Sequence, residues 1–231
     1  MENLQYRILI MNSKPTPNLD KELEKIWHQV PPDYYQNGVS KNLLQRIWHT
    51  SKLKTALELI DNSGAKPKNI LDVGCASGWM LSKISEKFPL AQCTGVDVYK
   101  KAIEYGQKLY KNLRLISVDA HKLPFKDKFS DLVICTELLE HVENPQKVLS
   151  EIKRILAPNG IAIVEMDSGN FLFRMVWYWW TNVRHGVWRD SHIHTFNTKI
   201  LENMISDSGF VIAQKKVFNA TMAVAFLLRK K

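Results

Sequence analysis

Nine consecutive residues carry the densest chemical signal in the chain: Ile70-Leu71-Asp72-Val73-Gly74-Cys75-Ala76-Ser77-Gly78. They read as a buried strand, a glycine turn and the start of a helix. Gly74 and Gly78 have no Cβ, so the backbone can bend sharply and a ligand can approach it closely. The first N–H groups of the following helix are available to a carboxylate or phosphate. Two acids stand at matching places downstream. Asp97 ends the next strand, where a carboxylate can accept hydrogen bonds from both hydroxyls of a ribose. Asp119 ends the third strand, where it can meet an adenine amino group. The Gly-x-x-x-Gly spacing separates this turn from the Gly-x-Gly-x-x-Gly of dinucleotide folds, which holds a pyrophosphate.

A second constellation is Glu137, Glu140 and His141. Their i, i+3, i+4 spacing would place all three on one face of a helix. Two carboxylates and an imidazole suit a divalent cation such as Mg2+, which would lower the pKa of a bound hydroxyl and orient it. A lone histidine acting as general base is the other reading.

The elements that must position these groups follow from periodicity. Leu19, Leu23, Ile26, Trp27 and Val30 share a helical face, and Pro31-Pro32 ends that helix. Asp33-Tyr34-Tyr35 reads as an aromatic turn. Leu43 to Ile60 traces a second helix, stopped near Gly64. After Pro67 strands and helices alternate: strands at Ile70–Val73, Cys93–Val98, Leu113–Val118, Asp131–Cys135 and Ile161–Met166, with helices at 79–88, 101–110 and 145–156. Asn144 is the expected N-cap of the last helix, and Pro158-Asn159-Gly160 is expected to break the chain before the fifth strand. A helix at 200–206 then leads to Val211–Phe218 and Met222–Leu228, a hairpin across Asn219. The expectation is an α/β, Rossmann-like, doubly wound sheet, parallel except for a reversed last strand, with helices on both faces. Residues 1–66 are expected to form a helical cap and residues 67–231 the core.

The glycine turn with its two acids resembles the class I S-adenosylmethionine-dependent methyltransferases, with Ala76 where that family usually has glycine. Leu123-Pro124-Phe125, Glu137-Leu138-Leu139-Glu140-His141-Val142, Leu156-Ala157-Pro158-Asn159-Gly160, His194-Thr195-Phe196 and Ser208-Gly209-Phe210 extend the likeness to the family's small-molecule branch, over Lys68–Leu228. The resemblance implies a seven-stranded sheet and S-adenosylmethionine as cofactor. By position it implies that Asp72, Gly74, Cys75 and Gly78 line the methionine end. It puts Asp97 on the ribose, Val98, Asp119, Ala120 and His121 around the adenine, and Thr136 and Glu137 near the sulfonium. The Glu-x-x-Glu-His string is similar to that of ubiquinone-pathway O-methyltransferases and of small-RNA ribose methyltransferases, where a histidine further on completes a metal site. Of His192 and His194, the latter fits that position. The implied catalytic residues are thus Glu137, His141 and His194, and the implied metal ligands Glu137, Glu140, His141 and His194.

Ser168–Phe196 is long for a connection in this fold. It holds Trp177, Trp179, Trp180, Trp188, Arg174, Arg184, Arg189 and three histidines against one acid, Asp190. Such a mixture suits an apolar acceptor, an anionic bilayer surface, stacked bases, or plain packing of a tryptophan face on the core. Tyr34, Tyr35, Trp48 and His49 are expected to close the site from the other side. The whole chain has 32 Lys and Arg against 23 Asp and Glu, a formal charge of +9 that favours acidic partners. Its apolar content of 45% argues against a disordered chain. Three dispersed cysteines exclude a disulfide scaffold and point to a reducing, cytoplasmic setting, with peripheral membrane association as an added expectation. The sequence therefore favours O-methylation of a small or lipid-linked acceptor. It leaves open ribose 2'-O-methylation of RNA and a non-catalytic nucleoside-binding protein.

Overall fold

The computed structural model describes residues 29–183 and 192–231. The helix expected to end at Pro31-Pro32 lies outside the described residues up to residue 28, as do Arg184, Trp188, Arg189 and Asp190. Two helices come first, α1 (Tyr34–Lys41) and α2 (Leu43–Ser63). The aromatic turn expected at residues 33–35 is instead the start of α1: the carbonyl of Asp33 already accepts from Asn37 N–H at 2.9 Å. Asn42 separates the helices and caps α2, its side chain accepting from Leu44 and Gln45 N–H. Gly64 ends α2 in the left-handed conformation, φ 70°.

The core then alternates: β1 (Asn69–Val73), α3 (Trp79–Lys87), β2 (Gln92–Asp97), α4 (Lys100–Leu109), β3 (Arg114–Ser117), β4 (Ser130–Thr136), α5 (Pro145–Ile155) and β5 (Leu156–Asp167). After β5 come α6 (Phe171–Tyr178), a π-helical turn (Trp179–Val183), α7 (Thr198–Asp207), β6 (Phe210–Phe218) and β7 (Ala223–Lys230). The seven strands lie in the order β3-β2-β1-β4-β5-β7-β6. The first five pair in parallel, and β7 runs antiparallel to both β5 and β6. The expected doubly wound sheet and reversed last strand are present.

The sheet separates two apolar layers. One face packs Val148, Leu149 and Ile152 of α5 with Leu201, Met204 and Ile205 of α7. The other packs Ala56, Leu59 and Ile60 of α2 with Leu81 and Ile84 of α3. Because β1 is covered on both faces, its residues from Ile70 to Val73 are all buried.

The fifth strand departs from expectation. It starts at Leu156, directly after α5, and absorbs Pro158-Asn159-Gly160 as an irregularity: Ser130 pairs with Leu156, but Leu132 already pairs with Ile161. A bulge lets the chain keep its strand through the turn residues. Glycine suits position 160, because a Cβ there would lie 3.0 Å from the carbonyl oxygen of Asp131.

Candidate functional site

The glycine turn after β1 is built as its sequence requires. Gly74 has φ 82°, and a Cβ on it would lie 3.1 Å from Leu138. Ala76 takes a left-handed conformation too, at φ 48°. That conformation aims its N–H at Asp97, whose Oδ2 accepts at 2.7 Å while Oδ1 accepts from Tyr99 N–H at 2.8 Å. Burial pushes the Asp97 carboxyl up, and the N–H groups of Tyr99, Ala76 and Val98 pull it back. Each oxygen of an sp² carboxylate keeps a further lone pair for a ligand hydroxyl.

Asp119 is arranged by a different device. Asn144 N–H donates to His121 Nε2 at 3.1 Å, so Nδ1 carries the proton and donates to Asp119 Oδ1 at 2.6 Å. Gly74, Asp97, Val98, Asp119, Ala120 and His121 all line one half of a cavity of about 890 Å3. The segment Val30–Pro32 with Tyr34 and Tyr35 lines it as well. Gln36 fastens that segment to the glycine turn, exchanging two hydrogen bonds with the hydroxyl of Ser77.

Four residues expected at the cofactor do not reach the cavity wall: Asp72, Cys75, Gly78 and Thr136. Asp72 is buried behind the wall, and burial with the neighbouring Asp97 pushes its carboxyl up to about 7 against the pull of Lys52. The Cys75 thiol packs against Gly95 of β2. Gly78 precedes α3 with φ 81° and faces Leu115, while the Thr136 hydroxyl points to the sulfur of Met80.

The other half of the cavity begins where β4 ends. Glu137, Glu140 and His141 do not share a helix. Residues 137–143 form turns, with Glu137 at φ 47°. The reason is that Glu137 is pulled out of line by two groups of α2. Trp48 Nε1 donates to Glu137 Oε1 at 2.7 Å, and Lys52 Nζ to Oε2 at 2.5 Å. Burial alone would raise the Glu137 carboxyl, but Lys52 outweighs it and holds the carboxyl well below its usual range. Lys52 is raised in turn, since the attraction of Glu137 and Glu165 exceeds its desolvation. Both directions describe one ionised buried pair.

Around that pair the carboxyls are of the opposite kind. Burial pushes Glu140 and Glu165 well up, and Asp167 to about 7. Glu140 Oε2 and both carboxyl oxygens of Glu165 are buried without a hydrogen-bond partner. The imidazoles move the other way: burial and Lys52 lower His49 to about 4, and burial and His141 lower His192 to about 3.

His192, not His194, joins this cluster. The Ile193 and His194 N–H groups both donate to the carbonyl of Glu140, at 3.0 and 3.2 Å. The His194 ring then turns outward to the carbonyl of Val142, 2.9 Å from Nε2. His192 is left stacked on Trp177, centroids 4.4 Å apart, and edge-on to His141 at 4.9 Å. Its Nδ1 lies 3.9 Å from Asp167. Glu140, His141 and His192 each bring one ligand atom within 4.8 Å of the others. Two imidazoles and a carboxylate with a free oxygen fit a divalent ion such as Zn2+, or Mn2+ with added oxygen ligands. The expected four-residue set does not form, because Lys52 and Trp48 hold Glu137 and His194 is turned to backbone carbonyls.

Lys52, Asp167 and Glu165 escaped the sequence reading, and His192 was one of its two histidine candidates but not the preferred one. Lys52 had a usable signal. It falls with His49, Ala56, Leu59 and Ile60 on the buried stripe of α2, and a lysine at such a position requires a partner charge.

Residues 71–164 match the family described as methyltransferase domain. The ubiquinone biosynthesis O-methyltransferase of Rickettsia typhi is 32% identical over 62% of this chain and 58% of its own. The norajmaline N-methyltransferase of Rauvolfia serpentina is 31% identical over 46% of this chain and 38% of its own. The chain thus spans about half the length of the curated relatives it matches. In fold it is similar to a crystal structure of a SAM dependent methyltransferase from Aquifex aeolicus, with TM-score 0.61 and 15% identity, covering 89% of this chain and 97% of that one. Residues 71–164 thus match a methyltransferase domain, and the fold built around them is similar to that of a solved SAM dependent methyltransferase.

Proposed function

We propose that the protein transfers the methyl group of S-adenosylmethionine to an oxygen of an apolar small-molecule or lipid-linked acceptor. One observation carries this reading: the cavity of about 890 Å3 has two chemically distinct halves. That volume lies at the upper end of the ~300–1,000 Å3 of ligand pockets. Gly74, Asp97, Asp119 and His121 suit a nucleoside in one half. Phe173, Val176, Trp177 and Trp179 make the other half apolar, with His141, His192 and Glu137 at the junction.

The cofactor supplies an activated methyl group together with its leaving group. The protein residues align and deprotonate. The aromatic wall holds the acceptor so that its oxygen faces the junction, and such alignment contributes roughly 7–11 kcal/mol in well-oriented reactions. His192, stacked on Trp177 with Nδ1 3.9 Å from Asp167, accepts the hydroxyl proton as formation of the new O–C bond makes that proton acidic. If a divalent ion takes part, Glu140, His141 and His192 hold it, and its chemistry there is to acidify the hydroxyl.

The likeness to a relative named for ubiquinone O-methylation supports oxygen as the acceptor atom, and the aromatic wall supports an apolar acceptor over RNA ribose. The test is transfer of labelled methyl from the cofactor into fractionated lysate. Label in the lipid or small-metabolite fraction is expected. Label confined to RNA would replace this reading with ribose methylation.

A further inference from the structure

Among the described residues, fifteen large apolar side chains are exposed, and ten of them lie on two short stretches: the start of α2 and the helix pair α6 with its π-helical turn. Leu43 is 65% exposed, Ile47 53%, Phe171 77% and Tyr178 67%. The two stretches border the same opening, for Leu44 and Ile47 line the cavity from one and Val176 and Trp179 from the other. Scattered exposed apolar residues are ordinary, but a belt concentrated around one cavity mouth marks an interaction surface.

The charge of the belt selects the partner. No Asp or Glu occurs from Tyr34 to Leu57 or from Ser168 to Val183. Lys41, Arg46, Lys54 and Arg174 are exposed on these stretches, with Lys54 two turns along the α2 face of Ile47. The Arg46 guanidinium donates to the backbone carbonyls of Val39 and Ser40, neutral acceptors that leave its charge uncancelled. A second copy of the chain is a poor occupant: a two-fold contact would press these cations against their own equivalents. No helix among the described residues is long and apolar enough to cross a membrane. Apolar side chains ringed by cations, with Tyr178 and Trp179 among them, suit the surface of an anionic bilayer.

We propose that this belt seats the protein on an anionic lipid bilayer with the cavity mouth facing the membrane. An apolar acceptor then passes from lipid to the aromatic wall without crossing water. The role given to the mouth rests on the acceptor proposed above, but the docking itself does not need turnover.

Binding is measured by co-sedimentation of the full chain with phosphatidylcholine vesicles, with and without phosphatidylglycerol. Partition should rise with phosphatidylglycerol and fall with salt. Each cation near an anionic surface is worth about fivefold in partition, so Arg46→Gln with Arg174→Gln should lower binding roughly 25-fold. Phe171→Glu with Met175→Glu should lower it on both vesicle types. None of these four residues lines the cavity, so calorimetry with S-adenosylmethionine should give unchanged affinity and shows that the variants are folded. Cofactor binding without vesicle binding overturns the docking proposal and leaves the methyltransferase reading intact. Vesicle binding without cofactor binding does the reverse. A dimer in sedimentation equilibrium that Phe171→Glu with Met175→Glu dissolves, with no vesicle binding, assigns the belt to a second copy and also overturns the proposal.

Discussion

Lys52 Nζ lies 2.5 Å from Glu137 Oε2, and the lysine side chain is only 4% exposed. This contact ties α2, which precedes the family-matched segment, to the turn after β4 where the two halves of the cavity meet. The helix outside that segment is therefore part of the site and not a covering over it.

The pair makes a stability prediction. Removing one partner of a buried ion pair leaves an uncompensated charge and costs about 3–5 kcal/mol. Lys52→Met and Glu137→Gln should each lower unfolding free energy, Lys52→Met by about that amount. The double variant should lose much less than the sum, read by denaturant unfolding. Additive losses would show that the two side chains do not interact.

Asp72 gives a pH prediction. Its carboxyl is pushed up to about 7 in the fold, against an ordinary value of 3.8. Between these values the folded chain holds the proton longer than the unfolded chain, so this group makes stability fall as pH rises from about 4 to 7. Asp72→Asn removes that slope. Relative to the parent, the variant should gain with rising pH, by about 4 kcal/mol at most at pH 8, since a tenfold difference in proton affinity is worth about 1.36 kcal/mol. A stability difference between the two that is flat with pH would contradict the buried, proton-holding carboxyl.

How far the sequence led can be judged on these same residues. Gly74, Asp97 and Asp119 were legible because strand, turn and acid are fixed by local spacing, and the structure puts all three on one cavity wall. Helix boundaries were legible where a cap decides them, as at Asn144 and Gly64. Glu137, Glu140 and His141 were misplaced on a helix because the force that unwinds them comes from Trp48 and Lys52, 85 or more residues away. That the structure brings His192 and not His194 to the cluster has a similar cause. Two N–H bonds to the Glu140 carbonyl set the register of that segment, and no local pattern encodes them.

The glycine turn predicts its own sensitivity. Gly74→Ala adds a Cβ at φ 82° with Leu138 at 3.1 Å, straining the turn on both counts. It should weaken S-adenosylmethionine binding by calorimetry while the sheet stays folded by circular dichroism. Asp97→Ala should weaken it by about 1.5–3 kcal/mol, as expected for lost charge-assisted hydrogen bonds. Unchanged affinity in both would move the nucleoside away from this wall.

The cluster beside His192 separates a cation site from a lone base. Titration with Zn2+ or Mn2+ should show binding that Glu140→Gln and His192→Asn abolish and that His194→Ala spares. If no ion binds and activity survives a chelator, His192 serves as base alone, and only its replacement among the three should stop turnover.

Methyl transfer to an apolar acceptor is measured most directly with methyl-labelled S-adenosylmethionine and a total lipid extract from cells. Label is expected in the organic phase, dependent on the protein and lowered with Asp97→Ala at subsaturating cofactor. Saturable cofactor binding with no label in any organic or small-metabolite fraction, or label found only in RNA, would contradict it.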